Sequence, residues 1–178
     1  EALAAPGILP PEPLGPQHDV AAFRNGRHGS LDDWLRQRAR TREGLSARTY
    51  VTCAADAANH IVGYYAVSTA AAHRIAMPDA KLRKAMPQDV PLLLLGRLAV
   101  DAAFQGQGLG AALLADALSR CAAASAIAGI RGLLAHAIDD EAVGFYLRHG
   151  FTAAPPLGKG TVLMPIEGLR AAVDRPRG

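Results

Sequence analysis

The chain has 178 residues, half of them apolar, with 19 lysines and arginines against 16 acids and a net charge of +3. That length suits one domain with a substantial core, and the mild basic excess permits an acidic or phosphorylated partner without requiring one. There is no run of about 20 apolar residues that could span a bilayer, and the two cysteines, Cys53 and Cys121, lack CxxC or other metal-like spacing. The start of the sequence carries prolines rather than a basic n-region, so the reading is a soluble cytoplasmic protein with reduced, buried thiols and no metal.

Residues 1–17 hold five prolines and are expected to form an extended lead-in, with a first edge strand around Ile8 to Leu14. Ser30 is expected to cap a helix, with Asp33 as its capping partner. In that helix Leu31, Trp34, Leu35 and Ala39 make the buried stripe, while Arg36, Arg38, Arg40 and Arg42 look outward. Arg48 to Ala54 and His60 to Ser68 read as two strands joined by a polar turn. Residues 73–90, with two Met-Pro pairs and five basic side chains, read as a basic loop or short helix. Leu92 to Val100 is a near-continuous apolar run of strand length, as expected for a strand covered on both faces.

The sequence Gln105-Gly106-Gln107-Gly108-Leu109-Gly110 follows that strand. Leu109, Leu113, Leu114, Ala117, Leu118 and Cys121 then mark one apolar stripe of a helix. Glycines at a helix N-terminus let a ligand approach the backbone, where unpaired N–H groups and the positive end of the dipole favour a phosphate or pyrophosphate. A strand at Gly132 to Ala137 and a helix at Asp140 to His149 come next. That helix has acids in its first turn, Arg148 and His149 in its last, and Gly150 just beyond. Thr161 to Pro165 reads as a last short strand. One domain is expected over 18–173, with a flexible tail at 174–178.

The glycine turn is not a Walker P-loop, because Ala111-Ala112 stands where Lys-Ser or Lys-Thr would be needed. A dinucleotide fingerprint through Gly106, Gly108 and Ala111 is a weak match, since no acid follows at the distance that ribose binding wants. Gln105, Gly108 and Gly110, spaced Gln-x-x-Gly-x-Gly between strand and helix, instead resemble the acetyl-coenzyme A signature of the GNAT acetyltransferases. Gly63-Tyr64-Tyr65 upstream and Phe145-Tyr146-Leu147 with Gly150-Phe151 downstream add to the likeness. Within the family the chain looks similar to the GNAT toxins of bacterial toxin-antitoxin pairs. That likeness is carried by Ser-Leu-Asp-Asp-Trp-Leu at 30–35, Arg48-Thr49-Tyr50-Val51 and Leu95-Gly96-Arg97-Leu98-Ala99-Val100-Asp101.

The resemblance implies an α/β (α+β) GNAT fold with a mixed, mostly antiparallel sheet. It implies acetyl-CoA as donor, held by Leu98, Val100, Gln105, Gly106, Gln107, Gly108, Leu109 and Gly110. It further implies acetylation of the α-amino group of aminoacyl-tRNA, which blocks translation, and a ribbon-helix-helix antitoxin as partner; a homodimer is compatible with it. Asp139 stands where many members carry a cofactor-contacting asparagine, and that contact is not carried over.

The chemistry of the substrate amine supplies a separate lean. Leu92 to Val100 contains no acid to serve as base. An α-amino group of pKa ~8 is neutral in a sizeable fraction near pH 7.5, whereas a lysine at ~10.4 is neutral only at about the 0.1% level. The missing base therefore costs a lysine roughly 3 kcal/mol more of population than it costs an α-amine. Tyr146 is the candidate acid, since a phenol of pKa ~10 stays protonated at neutral pH and can donate to a departing thiolate. Phe145 and Tyr146 would equally suit the core face of a plain amphipathic helix.

Arg97, a charge inside an apolar strand, needs a carboxylate, a phosphate or solvent. Seven arginines lie between Arg24 and Arg48 against three acids. Either they are a solvated face or, as the resemblance favours, Arg36 and Arg40 together with Arg83 and Arg97 meet the RNA substrate. Two other functions stay open: an acetyltransferase of a small amine or protein N-terminus, and a catalytically idle binding module on the same fold.

Overall fold

A computed structural model describes residues 7–175. Seven strands form one mixed, mostly antiparallel sheet in the order β1-β2-β3-β4-β5-β7-β6. They are β1 (Glu12–Pro13), β2 (Arg48–Ala54), β3 (Ala57–His73), β4 (Asp89–Val100), β5 (Gly132–His136), β6 (Thr152–Ala153) and β7 (Thr161–Pro165). The helices are α1 (Gly29–Gln37), α2 (Ala39–Arg42), α3 (Ala80–Arg83), α4 (Leu109–Ser125), α5 (Asp140–Arg148) and α6 (Ile166–Asp174). The long strands β3 and β4 each run through both of two compact units.

The first unit takes in the described residues up to Ser68 together with Gly96–Ala117. β2 and β3 pair antiparallel, Tyr50 opposite Tyr65 and Val51 opposite Tyr64, with irregularities on either side of Cys53. Phe23, Leu31, Leu35, Ala39, Val51, Ile61, Tyr64 and Ala99 build its core, with Trp34 packed at the margin. Gly63 is required by close approach, because a Cβ there would lie 2.9 Å from Leu113 Cδ1 of α4 and 3.2 Å from Thr52 Cγ2. The Tyr65 hydroxyl donates to Asp116 Oδ2 at 2.5 Å, fixing α4 against β3.

The second unit holds Thr69–Leu95 and the described residues from Leu118 onward. β4 and β5 pair in parallel over Leu93 to Leu95, and β7 runs antiparallel to β5 along its whole length. Met77, Leu82, Val90, Leu92, Leu134, Ala154 and Leu163 fill its core.

Several boundaries differ from expectation for physical reasons. α1 starts at Gly29 behind His28, which makes no side-chain cap, so Ser30 lies inside the helix and the expected capping pair with Asp33 does not form. Asp33 pairs with Arg36 instead, and the buried acid is Asp32, whose Oδ1 accepts the Asn25 N–H at 2.8 Å. Ala39 is buried as expected but belongs to α2. β3 is far longer than His60 to Ser68, and β4 begins at an exposed Asp89. The 73–90 stretch contains a 3₁₀ turn and the one-turn α3. The edge strand near Ile8 to Leu14 is present as β1 plus a bridge from Ile8 to Ala54. Of the expected tail and lead-in, residues 1–6 and 176–178 lie outside the described residues.

α6 has only a short apolar pattern after Pro165 to signal it in the sequence. Burial of Ile166 and Leu169 sustains it, and Glu167 pairs with the mostly buried Arg131 at 2.9 Å.

Candidate active site

In the first unit the site is built where β4 runs out. Asp101 caps the 3₁₀ turn Ala102–Phe104 through Oδ1, and its Oδ2 accepts the Arg24 N–H at 3.0 Å. Gln105 then donates through Nε2 to Asn25 O at 2.8 Å and Val100 O at 3.1 Å. Both of its amide protons are used to hold the turn, so any contact with a ligand falls to its backbone or carbonyl oxygen.

Gly106 and Gly108 follow with φ of +75° and +80°, a backbone region that L side chains rarely adopt, and a Cβ at either would meet nothing within 4 Å. Open space beside a left-handed backbone is what a ligand pressed against the main chain needs. Gln107 is exposed between them, while Leu109 is buried and anchors the first turn of α4. The N–H groups of Leu109, Gly110 and Ala111 precede the first helical bond, from Ala112 N to Gly108 O at 3.1 Å. They supply donors at the positive end of the dipole of a 17-residue helix. The stripe behind them, from Leu109 to Cys121, is buried as its spacing predicts. Leu98 and Val100 are half-buried on the strand that leads into the turn. This donor set and this glycine backbone fit the pyrophosphate of an acyl-coenzyme A.

Asn25 ties that turn to the start of α1. Its N–H donates to Asp32, its Nδ2 to Val100 O at 3.0 Å, and its carbonyl accepts from Gln105. Its Oδ1 accepts the backbone N–H groups of Arg27 and His28. Sequence reasoning did not single out Asn25; an asparagine shortly before a helix is only a weak cap signal.

The arginines named from sequence do not share one setting. Arg97 lies over the Trp34 ring at 5.1 Å from its centroid, and Trp34 stacks on Tyr64 at 6.0 Å and nearly parallel. Tyr64 is buried, donates to Leu31 O at 2.7 Å, and has its pKa raised by burial, with Arg97 opposing that rise and Asp32 adding to it. Arg36 pairs with Asp33 on the outer face of α1. Arg40 donates to His18 O at 2.6 Å and is thereby a strap on the N-terminal segment. Arg83, in the second unit, donates to Met77 O at 3.3 Å.

Tyr146 is in the second unit, on α5. Asp139 caps that helix by accepting the Ala142 N–H at 2.8 Å, which gives the residue at the asparagine position a structural task. Asp140 and Glu141 occupy the first turn, and Gly150, with φ +93°, ends the helix. The Tyr146 ring is 6% exposed and packs edge-on to Phe145 and Phe151 at 5.3 and 5.2 Å. Burial raises its pKa above the ordinary tyrosine value, so the hydroxyl is protonated at neutral pH. Among the described residues that hydroxyl makes no hydrogen bond, and the occluded, unpartnered polar atom is Thr49 Oγ1 instead. A protonated, uncommitted phenol is available to donate to a reacting group.

A glycine turn feeding a helix N-terminus, set after an apolar strand in a mixed sheet of this order, suits a transferase that takes an acyl-CoA as donor. The chain belongs to the GNAT acetyltransferase family, whose acetyltransferase (GNAT) domain matches residues 47–153. A tRNA-acetylating toxin of Mycobacterium tuberculosis is 39% identical over 150 residues, covering 84% of this chain and 87% of that protein. Among solved structures, AtaT complexed with acetyl-methionyl-tRNAfMet superposes with a TM-score of 0.83 at 28% identity, over 92% of this chain and 98% of that one. AtaTR bound with AcCoA gives 0.78 at 28% identity over 94% and 98%. A tyrosine-to-phenylalanine mutant of the AtaT toxin, bound to the C-terminus of the antitoxin AtaR, gives 0.80 at 25% identity over 95% and 99%. No helix among the described residues is long and apolar enough to cross a membrane, and no group of three or more potential metal ligands gathers among them.

Proposed function

We propose that the protein acetylates the α-amino group of aminoacyl-tRNA with acetyl-CoA as donor, and so acts as a translation-blocking toxin of the cytoplasm. The observation that carries this reading is the 39% identity to a tRNA-acetylating toxin across most of both chains. The glycine turn supports it by fitting the donor. Acetyl-CoA, when bound, supplies the acetyl group as an activated thioester.

The chain's own residues have three tasks. The backbone N–H groups from Gly106 to Gly110 bind the donor's phosphates, with Leu98 and Val100 along its arm. Tyr146 keeps its proton at neutral pH because of burial, donates it to the sulfur as the amine nitrogen bonds to the acetyl carbon and the carbon–sulfur bond breaks, and is reprotonated from water. The amine proton passes to water, since an amine of pKa ~8 needs no strong base. Arg97, Arg36, Arg40 and Arg83 meet RNA phosphates, Arg40 the least because it already holds backbone carbonyls. A ribbon-helix-helix antitoxin is the protein partner and a homodimer the assembly that fits this reading. A single domain over residues 18–173, between an extended lead-in and a flexible tail, is the organisation that goes with it.

RNA binding releases counterions, so affinity for charged tRNA should fall steeply with salt. Arg36→Glu and Arg83→Glu should each reduce the slope of log K against log salt by roughly 0.7 to 0.9. A slope near zero for the wild type would overturn the RNA reading and favour a small amine as acceptor.

A further inference from the structure

Arg97 is a half-buried guanidinium on β4 whose only hydrogen bond to the described protein is to the carbonyl of its neighbour Gly96, at 3.1 Å. None of the described carboxylates pairs with it. A charge kept partly out of water without a counter-ion is costly, and a ligand that supplies the opposite charge offsets that cost. Asp32, a buried acid of the same region, accepts the Asn25 N–H and makes no ion pair with Arg97.

The guanidinium is nonetheless held in place. Its Cζ lies over the Trp34 ring, 5.1 Å from the centroid, and Trp34 is itself braced by stacking on Tyr64, whose hydroxyl is fixed to Leu31 O. With Nη1 donating to Gly96 O, the N–H groups of Nε and Nη2 make no hydrogen bond to the described protein and form an edge suited to two oxygens of one anion. If the acceptor is an aminoacyl ester, as proposed above, the amino acid's carboxyl group is consumed in the ester. The anion left beside the reacting amine is then a phosphodiester of the nucleotides that carry it.

We propose that Trp34 is a positioning residue, which orients Arg97 as the receptor for a phosphodiester at the acceptor end of the substrate. This rests on the aminoacyl-tRNA reading and adds which residue pair reads the end of the RNA.

The test is a double-mutant cycle of Trp34→Leu and Arg97→Gln, with Trp34→Phe as the conservative variant that keeps an aromatic face and the packing. Three acceptors are compared: charged tRNA, an aminoacyl CCA trinucleotide and aminoacyl-adenosine, the last with no phosphodiester. Loss of an oriented, partly desolvated cation–π contact should raise KM for the first two by about tenfold, with kcat changed less than about threefold. KM for acetyl-CoA and turnover of aminoacyl-adenosine should hardly move, and Trp34→Phe should recover most of the loss. The double mutant should be no worse than Arg97→Gln alone, because Trp34 acts through Arg97. Additive losses, equal losses on aminoacyl-adenosine, or a rise in KM for acetyl-CoA instead would each overturn the proposal. Should Trp34→Leu fail to fold, the cycle is run with Trp34→Met, which fills more of the space but has no aromatic face and for which full additivity has the same force. Failure of the wild type to acetylate either RNA acceptor would instead refute the aminoacyl-tRNA reading itself.

Discussion

Replacing Tyr146 by phenylalanine removes one oxygen from a position whose surroundings are known. The ring keeps its edge contacts to Phe145 and Phe151. No described group donates to or accepts from the hydroxyl, so its removal leaves no buried partner orphaned. Folding stability should therefore change by no more than about 0.5 kcal/mol in urea titration, below the usual worth of one hydrogen bond. Chemistry should change far more, because a lost general acid lowers kcat by roughly 10²-fold, or about 2.7 kcal/mol of barrier. The affinity for acetyl-CoA should be that of the wild type. A matching expectation follows for pH. Since burial holds the phenol above its ordinary value, the rate should rise with pH as the substrate amine of pKa ~8 loses its proton, and Tyr146 should add no falling limb below about pH 10. Single-turnover acetylation by purified wild type and Tyr146→Phe, beside their urea curves, measures both. If the folded mutant acetylates within about threefold of wild type, Tyr146 is a core aromatic and the assigned role is wrong.

Three other outcomes are expected. Gly108→Val should cost about 1 kcal/mol of stability, from its φ of +80°, and should abolish acetyl-CoA binding by calorimetry; undiminished affinity would remove the turn from the donor site. Asn25→Ala removes the donation to Val100 O and the acceptance from the N–H groups of Arg27 and His28, and should lower the unfolding free energy by about 2 to 3 kcal/mol; a change under about 0.5 would mean these bonds are replaced by water. Burial pushes the thiols of Cys53 and Cys121 up to about 11 and about 12, while unfolded thiols ionise near 9. Stability should therefore be unaffected by these groups below that pH and fall above it by about 1.4 kcal/mol per pH unit for each thiol. Cys121→Ala should flatten the slope between pH 9 and 12 in urea titrations, and an unchanged slope would contradict the burial.

How much could be read in advance depended on whether a feature was local. The stripe from Leu109 to Cys121 and the glycines before it announce both α4 and the open glycine turn at its start, because periodicity and φ preference act within a few residues. Arg97 stands out as a charge in an apolar strand for the same reason. Its platform did not: Trp34 reads as core on a helical stripe, and only the sheet that carries β3 and β4 side by side brings Tyr64 and Arg97 to it. α1 starts ahead of Ser30, and Asp32 turns inward to a backbone N–H before the helix, a bond that no local capping pattern encodes. α6 was invisible for a similar reason, being sustained by burial of Ile166 and Leu169 and by the Arg131–Glu167 pair rather than by strong end signals. Gln105 shows the opposite case. Its place in the motif is plain, but its side chain serves the turn and not the space around it.

The central claim is that the acetyl group lands on the α-amine of an amino acid carried by tRNA. Labelled acetyl-CoA is supplied with charged tRNA, deacylated tRNA and free small amines in parallel, and the RNA product is treated with mild base to cleave the ester. The account predicts label on the charged pool alone, released by base as N-acetyl amino acid. Label on small amines or on protein with none on charged tRNA, or label that stays with the RNA after base, would contradict it.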